Sequence, residues 1–314
     1  MSGFDIIGDI HGAADQLLEL LELLGYREDS GVFLHPKRRI VFLGDFIDRG
    51  PKQRQVIDIV RPMIEEGSAL AVIGNHEFNA IAYATEDPER PGEYLRPHNQ
   101  RNNTQHASFL DAYPDQAEYQ DVIGWFRTLP LFLEFDSFRV VHACWHANYL
   151  EYLEPYLNSE NTLDDDLVIR GSRPEDRAFV ALETLLKGLE IPLPDGCFFL
   201  DKDGVRRDSI RTRWWLSERV SYREMAFLSS DIAAGLPDEL PPPGVSVNYP
   251  KTEKPVFVGH YWLRGTPEIM SSNVCCVDFS VGKPGGKLCC YRFDGESRLS
   301  TGKILWVTRP VGSR

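Results

Sequence analysis

The sequence predicts an α/β fold, because short apolar strands alternate with amphipathic helices. Residues 4–7, 39–43 and 69–73 are apolar runs of strand length, and each leads into a glycine. Between the first two, leucines recur at positions 17, 20, 21 and 24, the spacing of one helix face. Three further strands, expected to close a second sheet, are predicted at residues 274–278, 287–294 and 303–307.

Polar side chains follow five of the predicted strands. Strands at residues 139–141 and 255–259 join the first three, and the side chains that follow the five are Asp9, His11, Asp45, Asp48, Arg49, Asn75, His76, His142 and His260. Because ligands of open α/β sheets bind at the carboxyl ends of strands, we expect one shared site. Its oxygen and nitrogen donors, without a thiolate, suit manganese, iron or zinc, and one shared aspartate suits a two-metal site.

The ordered motifs GDxHG, GDxxDRG, GNHE, a later His and a later GH resemble the PPP branch of the calcineurin-like metallophosphoesterases. That branch includes protein Ser/Thr phosphatases and symmetrical dinucleoside tetraphosphatases. The motifs extend from Asp9 to His260, which is most of the chain. The resemblance implies a layered α/β sandwich, with two mixed β-sheets flanked by helices. It also implies one domain over residues 1–314, with loop insertions near 85–120, 143–200 and 230–254.

The resemblance further implies a role for each site residue. Two divalent metal ions, expected to be manganese with iron or zinc as alternatives, would be held by Asp9, His11, Asp45, Asn75, His142 and His260. A hydroxide bridging these ions would attack phosphorus. Arg49 would bind the phosphoryl group, His76 would protonate the leaving oxygen, and Asp48 would orient His76. For a second phosphate-binding arginine the candidates are Arg211 and Arg213, with Arg170 and Arg219 in reserve. An ordinary strand with surface arginines is an equally weighted alternative.

Two positions depart from the pattern of related enzymes. Residues 143–145 follow His142 where the phosphatases usually have two glycines, and this change brings Trp145 near the expected pocket. Trp262 stands two residues after His260, where many other metallophosphoesterases have a second histidine. A tryptophan there fits the PPP branch, and it leaves the first metal with one protein ligand fewer.

The composition restricts the partners of this chain. A net charge of −13 argues against polymeric nucleic acid, whose binding needs a basic face, but allows a phosphorylated substrate because bound cations reverse the local potential. The first residues lack a signal-peptide pattern and no apolar run has membrane-spanning length, so we expect a cytoplasmic protein without a membrane partner. The six cysteines, without a CxxC motif, are expected to be reduced thiols.

Residues 85–105 are predicted to form a long loop over the site. Pro88, Pro91 and Pro97 break any helical pattern there, and loops of this length are usually functional or disordered. His98, Arg101 and His106 are candidates for substrate contact in this loop. We expect a solvent-exposed position for all three, because most polar loop residues face water.

Three functions are compatible with these features. The favoured one is a phosphomonoesterase like the PPP-type Ser/Thr protein phosphatases, acting on a phosphoprotein or a small phosphoester, because tetraphosphatase motifs commonly lack Asp48 and Glu77. The second is a symmetrical dinucleoside polyphosphate hydrolase, supported by the C-terminal resemblance to bacterial tetraphosphatases and by Trp145, Trp214 and Trp215, which could stack a base. The third is a catalytically inactive scaffold protein, which is disfavoured because every expected metal ligand is present.

Overall fold

The computed structural model describes residues 3–201 and 204–312. The strands are β1 (Gly3–Ile7), β2 (Arg27–Asp29), β3 (Val32–Leu34), β4 (Arg38–Phe42), β5 (Ala69–Ala71), β6 (Phe132–Glu134), β7 (Arg139–Val141), β8 (Glu190–Pro192), β9 (Phe199–Leu200), β10 (Arg206–Arg207), β11 (Ser209–Arg211), β12 (Val256–Val258), β13 (Val274–Cys276), β14 (Asp278–Phe279), β15 (Lys287–Phe293) and β16 (Ile304–Thr308). The helices are α1 (Ala14–Leu24), α2 (Gln53–Glu65), α3 (Asn75–Ala84), α4 (Gln100–Ala112), α5 (Gln116–Phe126), α6 (Ala147–Leu153), α7 (Asp165–Gly171), α8 (Arg177–Lys187), α9 (Tyr222–Met225) and α10 (Ser230–Ala233). Short 3₁₀ helices cover Glu154–Tyr156 and Thr301–Lys303.

Two mixed sheets form the centre of the fold. The larger has the order β14–β15–β1–β4–β5, with β16 also paired to β15. Its strands β1, β4 and β5 are parallel, while β15 is antiparallel to β1. The smaller sheet has the order β13–β12–β7–β6, in which β12 is parallel to both β13 and β7. The predicted layered α/β sandwich is therefore confirmed.

Side chains alternate between the two faces of each strand, and both faces are covered. Ile6, Val41 and Phe257 belong to an apolar cluster that joins the two sheets, whereas Ile7 and Phe42 belong to the cluster on the helix side. The adjacent cysteines follow the same rule: Cys275 and Cys289 belong to the first cluster, and Cys276 and Cys290 to the second. All six cysteines are free thiols, as expected, and burial raises the pKa of these four.

The placement of the last strands differs from the prediction. Strands were correctly predicted near 287–294 and 303–307, but they do not close the second sheet. β15 pairs with β1, and β16 pairs with β15, so both extend the larger sheet. Only β13 joins the smaller sheet. Sequence patterns identify strands, whereas the choice of partner depends on contacts between distant parts of the chain.

The loop predicted at 85–105 is wrong in its last part, because α4 begins at Gln100. Asn99 caps this helix, since its side chain accepts a hydrogen bond from the backbone N–H of Asn102 at 2.9 Å. Asp115 caps α5 in the same way. The segment predicted as an insertion near 85–120 contains α4 and the start of α5, and the one near 143–200 contains α6, α7 and α8. The insertions and the single-domain boundaries stay predictions. No helix in the described ranges is long and apolar enough to cross a bilayer.

One buried carboxylate ties β1 to its neighbours and gives a test of the fold. Asp5 is fully buried, and it accepts hydrogen bonds from Arg38 at 2.9 Å, Arg292 at 3.2 Å and Tyr26 at 3.1 Å. Because Asp5→Ala leaves the shielded guanidinium of Arg38 without this partner, we expect the free energy of unfolding in urea to fall by about 3 kcal/mol. The matched control Asp15→Ala removes an exposed partner of Lys52 and should cost less than about 1 kcal/mol. Equal losses in the two variants would contradict this role for Asp5.

Candidate active site

The carboxyl ends of β1, β4, β5, β7 and β12 converge, and they bring all six predicted metal residues together. Five distances link their donor atoms: Asp9 Oδ2 to His11 Nε2 3.9 Å, His11 Nε2 to Asp45 Oδ2 3.6 Å, Asp45 Oδ2 to His142 Nε2 3.4 Å, His142 Nε2 to Asn75 Oδ1 3.3 Å, and Asn75 Oδ1 to His260 Nδ1 2.7 Å. Asp45 lies in the middle of this series. The position agrees with the rule that sheets of this kind bind ligands beyond the carboxyl ends of their strands.

Glycines before the polar residues allow the strand ends to approach this closely. A Cβ atom at Gly74 would collide with the carboxylate and the backbone nitrogen of Asp45, and one at Gly259 would collide with the carboxylate of Asp9. Glycine therefore precedes these site residues because neighbouring atoms leave no room for a Cβ atom. Any side chain at either position would push two strand ends apart.

Five predicted site residues adopt the left-handed backbone conformation that favours glycine, namely His11, Asp45, Asp48, Arg49 and His260. Trp262 and Ser280 do the same nearby, at φ values of 52° and 62°. Such a conformation costs a non-glycine residue about 1–3 kcal/mol, and it persists only where surrounding contacts enforce it. This concentration of strain in one place is typical of a functional site.

Hydrogen bonds fix the orientation of two imidazoles around Asp45. The Nδ1 atom of His11 lies 2.9 Å from the carbonyl of Ile47, and that of His142 lies 2.5 Å from the carbonyl of Leu43. A neutral ring that donates from Nδ1 keeps a lone pair on Nε2, and both Nε2 atoms are directed at the Asp45 carboxylate. Asp45 Oδ2 and His11 Nε2 are buried without a hydrogen-bond partner in the described structure. The lone pairs of these two atoms face each other, and a cation bound between them would satisfy both.

Two pKa shifts favour neutral rings at the site, whereas Asp45 raises the pKa of His142 against the effect of burial. Burial lowers the pKa of His11 to about 3 and the pKa of His260 well below its usual value, so both rings stay neutral and are able to bind a metal. Burial, together with Asp278 and Asp45, raises the pKa of Asp9 well above its usual range. Two groups, His11–Asp45–His76 and Asp45–His142–His260, each have ligand atoms within 4.8 Å of one another, and Asp45 belongs to both.

Glu77 holds the backbone of Asp45 in place through hydrogen bonds. Its carboxylate accepts hydrogen bonds from the backbone nitrogens of Asp45 at 2.7 Å, Phe46 at 2.8 Å and Gly74 at 3.0 Å. The side chain is fully buried and therefore holds two strand ends together. Glu77 therefore positions the backbone of Asp45. The use of Glu77, together with Asp48, to favour a protein phosphatase stays a prediction that these contacts do not test.

Asp48 lies between two histidines. His76 Nδ1 is 2.5 Å from Asp48 Oδ2, and His106 Nδ1 is 3.1 Å from Asp48 Oδ1. Burial opposes ionisation of Asp48, but the hydrogen bonds from both rings outweigh it and lower the pKa of Asp48 to about 2. The expectation that His106 faces solvent is wrong, because α4 carries it inward and leaves it buried. The helical spacing of His106, Phe109 and Tyr113 was the signal for this buried face.

The three predicted phosphate-binding arginines differ in their positions. Arg49 is exposed at the edge of the site, with its guanidinium carbon 3.8 Å from the centre of the Trp262 ring. Arg211 lies close enough to His260 for its charge to contribute, after burial, to the lowered pKa of that ring. The Arg213 side chain is exposed, and its backbone pairs with Met225 and Leu216. Arg49 therefore lies beside the cluster, whereas Arg211 donates a hydrogen bond to Glu190 at 3.3 Å.

The tryptophans suggested as base-stacking residues are buried. Trp145 packs edge-on against Phe132 and beneath the guanidinium of Arg139, and Trp214 donates a hydrogen bond to the Tyr261 hydroxyl at 2.8 Å. Trp215 is buried as well. The prediction that these rings stack a base is wrong, because all three rings are buried and already contact other side chains.

Comparison with known proteins identifies the family. The family model for the calcineurin-like phosphoesterases matches residues 3–178. A relative from Geobacillus sp. (strain WCH70), named bis(5'-nucleosyl)-tetraphosphatase PrpE [asymmetrical], is 48% identical over 73 residues, which are 23% of this chain and 30% of the relative. A protein of the same name from Oceanobacillus iheyensis is 31% identical over 150 residues, 48% of this chain and 57% of that protein. The chain therefore spans less than two thirds of the length of these relatives.

A solved structure agrees on the fold. A protein serine/threonine phosphatase from Saccharomyces cerevisiae, with similarity to human phosphatase PP5, aligns over 99% of this chain and 80% of its own, with a TM-score of 0.53 and 14% identity. At that identity the similarity concerns the fold alone. The family model covers more than half of the chain and includes eight of the predicted site residues, Asp9, His11, Asp45, Asp48, Arg49, Asn75, His76 and His142. The chain belongs to the calcineurin-like phosphoesterase family.

Proposed function

We propose that the converging strand ends bind two divalent metal ions that share Asp45. Asp9 and His11 complete one site, and Asn75, His142 and His260 complete the other. Bound metal ions supply positive charge for the phosphoryl oxygens and make hydroxide available near neutral pH. The unpartnered Asp45 Oδ2 and His11 Nε2 atoms support this assignment. Manganese is the expected ion, with iron or zinc as alternatives.

The chain's own side chains then have distinct tasks. Arg49 binds the phosphoryl oxygens through paired hydrogen bonds, which suit a planar guanidinium, and Arg211 adds a second positive charge. His76 donates a proton to the leaving oxygen. Asp48 stays ionised and accepts from His76 Nδ1, so Nε2 is the atom that holds the transferable proton. His106 holds the other oxygen of Asp48 in place.

The proposed substrate class is the bis(5'-nucleosyl) tetraphosphates. The observation that carries this proposal is the 48% identity, over 73 residues, to a relative named as an asymmetrical tetraphosphatase. The tryptophans no longer support a nucleotide substrate, because all three are buried. Asymmetrical cleavage replaces the symmetrical type that we expected as the alternative. The protein phosphatase stays a second candidate, supported by the Asp48–His76 pair.

Product analysis tests the proposed substrate. Manganese-loaded protein should convert diadenosine tetraphosphate into ATP and AMP, resolved by ion-exchange chromatography, and should release little phosphate from a phosphoserine peptide. Asp45→Asn serves as the inactive control, because it replaces one carboxylate oxygen by an amide group and removes the negative charge that both metal ions would share. Two ADP molecules per substrate would contradict asymmetrical cleavage. Phosphate release from the peptide, without cleavage of diadenosine tetraphosphate, would favour the protein phosphatase function instead.

Arg211 and Arg213 form a matched pair for the second phosphate ligand. Arg211→Met should lower kcat/KM by about tenfold, because it removes one charge-assisted contact to the phosphoryl group. Arg213→Met removes the same charge two residues away on an exposed side chain and should leave kcat/KM within about twofold. The measurement is steady-state hydrolysis at fixed metal concentration. A larger loss in Arg213→Met than in Arg211→Met would reverse the assignment.

His106 is expected to act through Asp48 and His76. His106→Leu should lower kcat by about tenfold for an alkyl phosphate, whose leaving group needs a proton, and less for p-nitrophenyl phosphate. His106→Asn places an amide donor close to the lost Nδ1 position and should restore part of the rate. Metal content measured for each variant separates this effect from loss of the ions. Equal losses with both leaving groups would show that His106 acts on overall structure instead.

A further inference from the structure

A glycine- and lysine-rich segment borders the site and has no role in the proposed mechanism. It runs from residue 280 to residue 287 and reads Ser-Val-Gly-Lys-Pro-Gly-Gly-Lys. Gly282 lies directly against the site, because a Cβ atom there would stand 3.3 Å from Arg49 Cδ, 3.3 Å from Trp262 and 3.4 Å from His11 Cβ. The segment is therefore a wall of the site and has access to whatever Arg49 binds.

Two cations share one indole ring at this wall. The Arg49 guanidinium carbon lies 3.8 Å from the centre of the Trp262 ring, and Lys283 Nζ lies 4.9 Å from the centre. Cation–π contacts of this kind attract a positive charge to the face of the ring. The same indole lies 5.2 Å from the His11 ring, measured between ring centres. Trp262 thus connects a metal-site residue to two exposed positive charges.

The adjoining cavity is cationic as well. It has a volume of about 310 Å³, and among its lining residues Arg264, Lys283 and Lys287 are basic while none is acidic. Another cavity, beside α2, is lined by Arg54 and Arg61, but four acidic side chains in its lining offset them, namely Asp58, Glu65, Glu118 and Asp121. The chain has 47 acidic and 34 basic residues, so a cavity lining with three basic residues and no acidic one differs from the average charge of the chain.

We propose that Trp262, Lys283 and Arg264 form a cationic ledge that binds the phosphoryl groups next to the one held by Arg49. The ligand class is a linear chain of phosphoryl groups, either free polyphosphate or the chain of a nucleoside polyphosphate. The proposal rests on the proposed phosphoester hydrolysis at this site, and it deepens that function by giving a reason for preferring polyphosphate esters over monoesters. Trp262 is a positioning residue, whereas Lys283 and Arg264 contact the ligand.

The ledge accounts for the tryptophan at position 262. A histidine there would add a metal ligand, but it would offer a smaller ring to the two cations. Trp262 also donates its backbone N–H to Asp278 at 2.6 Å, which helps to fix the left-handed turn that carries the indole. Trp262 cannot bind a metal ion as a histidine could, but its larger ring contacts both Arg49 and Lys283.

Binding of inorganic tripolyphosphate to chelator-treated protein tests the ledge without metal chelation. By isothermal titration calorimetry at low salt, Lys283→Met and Arg264→Met should each raise the Kd of tripolyphosphate by about fivefold, the effect of losing one exposed ion pair, and should change the Kd of orthophosphate less. Lys251→Met is the matched control, because this exposed lysine precedes the amino end of β12, opposite the site. ATP and AMP form the second arm, in which only ATP should respond to the ledge variants.

The outcomes separate the ledge from the proposed function. An unchanged tripolyphosphate Kd in Lys283→Met and Arg264→Met, or an equal change in Lys251→Met, would overturn the ledge. A response to tripolyphosphate but not to ATP would limit the ligand to free polyphosphate and overturn the nucleotide part. If the ledge variants respond as expected while wild-type protein leaves diadenosine tetraphosphate intact, the ledge stands and the proposed substrate fails.

Discussion

The carboxylate of Asp45 is the constraint on which the rest of the structure depends. Its Oδ1 atom accepts from the backbone of His76, while Oδ2 faces the Nε2 atoms of His11 and His142 and has no hydrogen-bond partner in the described structure. The backbone is left-handed at this residue, and Glu77 holds its N–H. Burying an ionised carboxylate costs free energy unless nearby positive charge compensates it. Strain and burial at Asp45 are consistent with one ligand shared by two ions.

The two-sheet architecture supplies the partners of Asp45. Parallel strands of the larger sheet deliver the ligands Asp9, Asp45 and Asn75, and parallel strands of the smaller sheet deliver His142 and His260. Only close packing of the sheets brings these two groups within ligand distance, and glycines at the strand ends allow that approach. The apolar residues between the sheets therefore contribute to the site as much as the polar residues do, since they fix its dimensions.

The sequence was most informative where a local motif determines a position. Asp9, Asp45 and Asn75 follow strands of recognisable pattern, so their convergence could be predicted before any contact was known. His106 was misjudged, because its burial depends on a contact to Asp48 in a distant part of the chain. The contacts of Glu77 to distant backbone nitrogens were not predicted for the same reason. The asparagine-rich start of α4 resembles a loop until Asn99 is seen to cap it. The pairing of β15 with β1 also links distant parts of the chain, and local patterns do not encode it.

The most direct test of this account is the number of metal ions that the chain binds. Calorimetric titration of metal-free protein with manganese or zinc should give two ions per wild-type chain. Because both proposed sites use the same carboxylate, Asp45→Asn should weaken both sites together, whereas Asp15→Asn, which alters an exposed carboxylate, should leave two ions bound. One ion per wild-type chain, or loss of a single ion in Asp45→Asn, would contradict the shared ligand and with it the proposed mechanism.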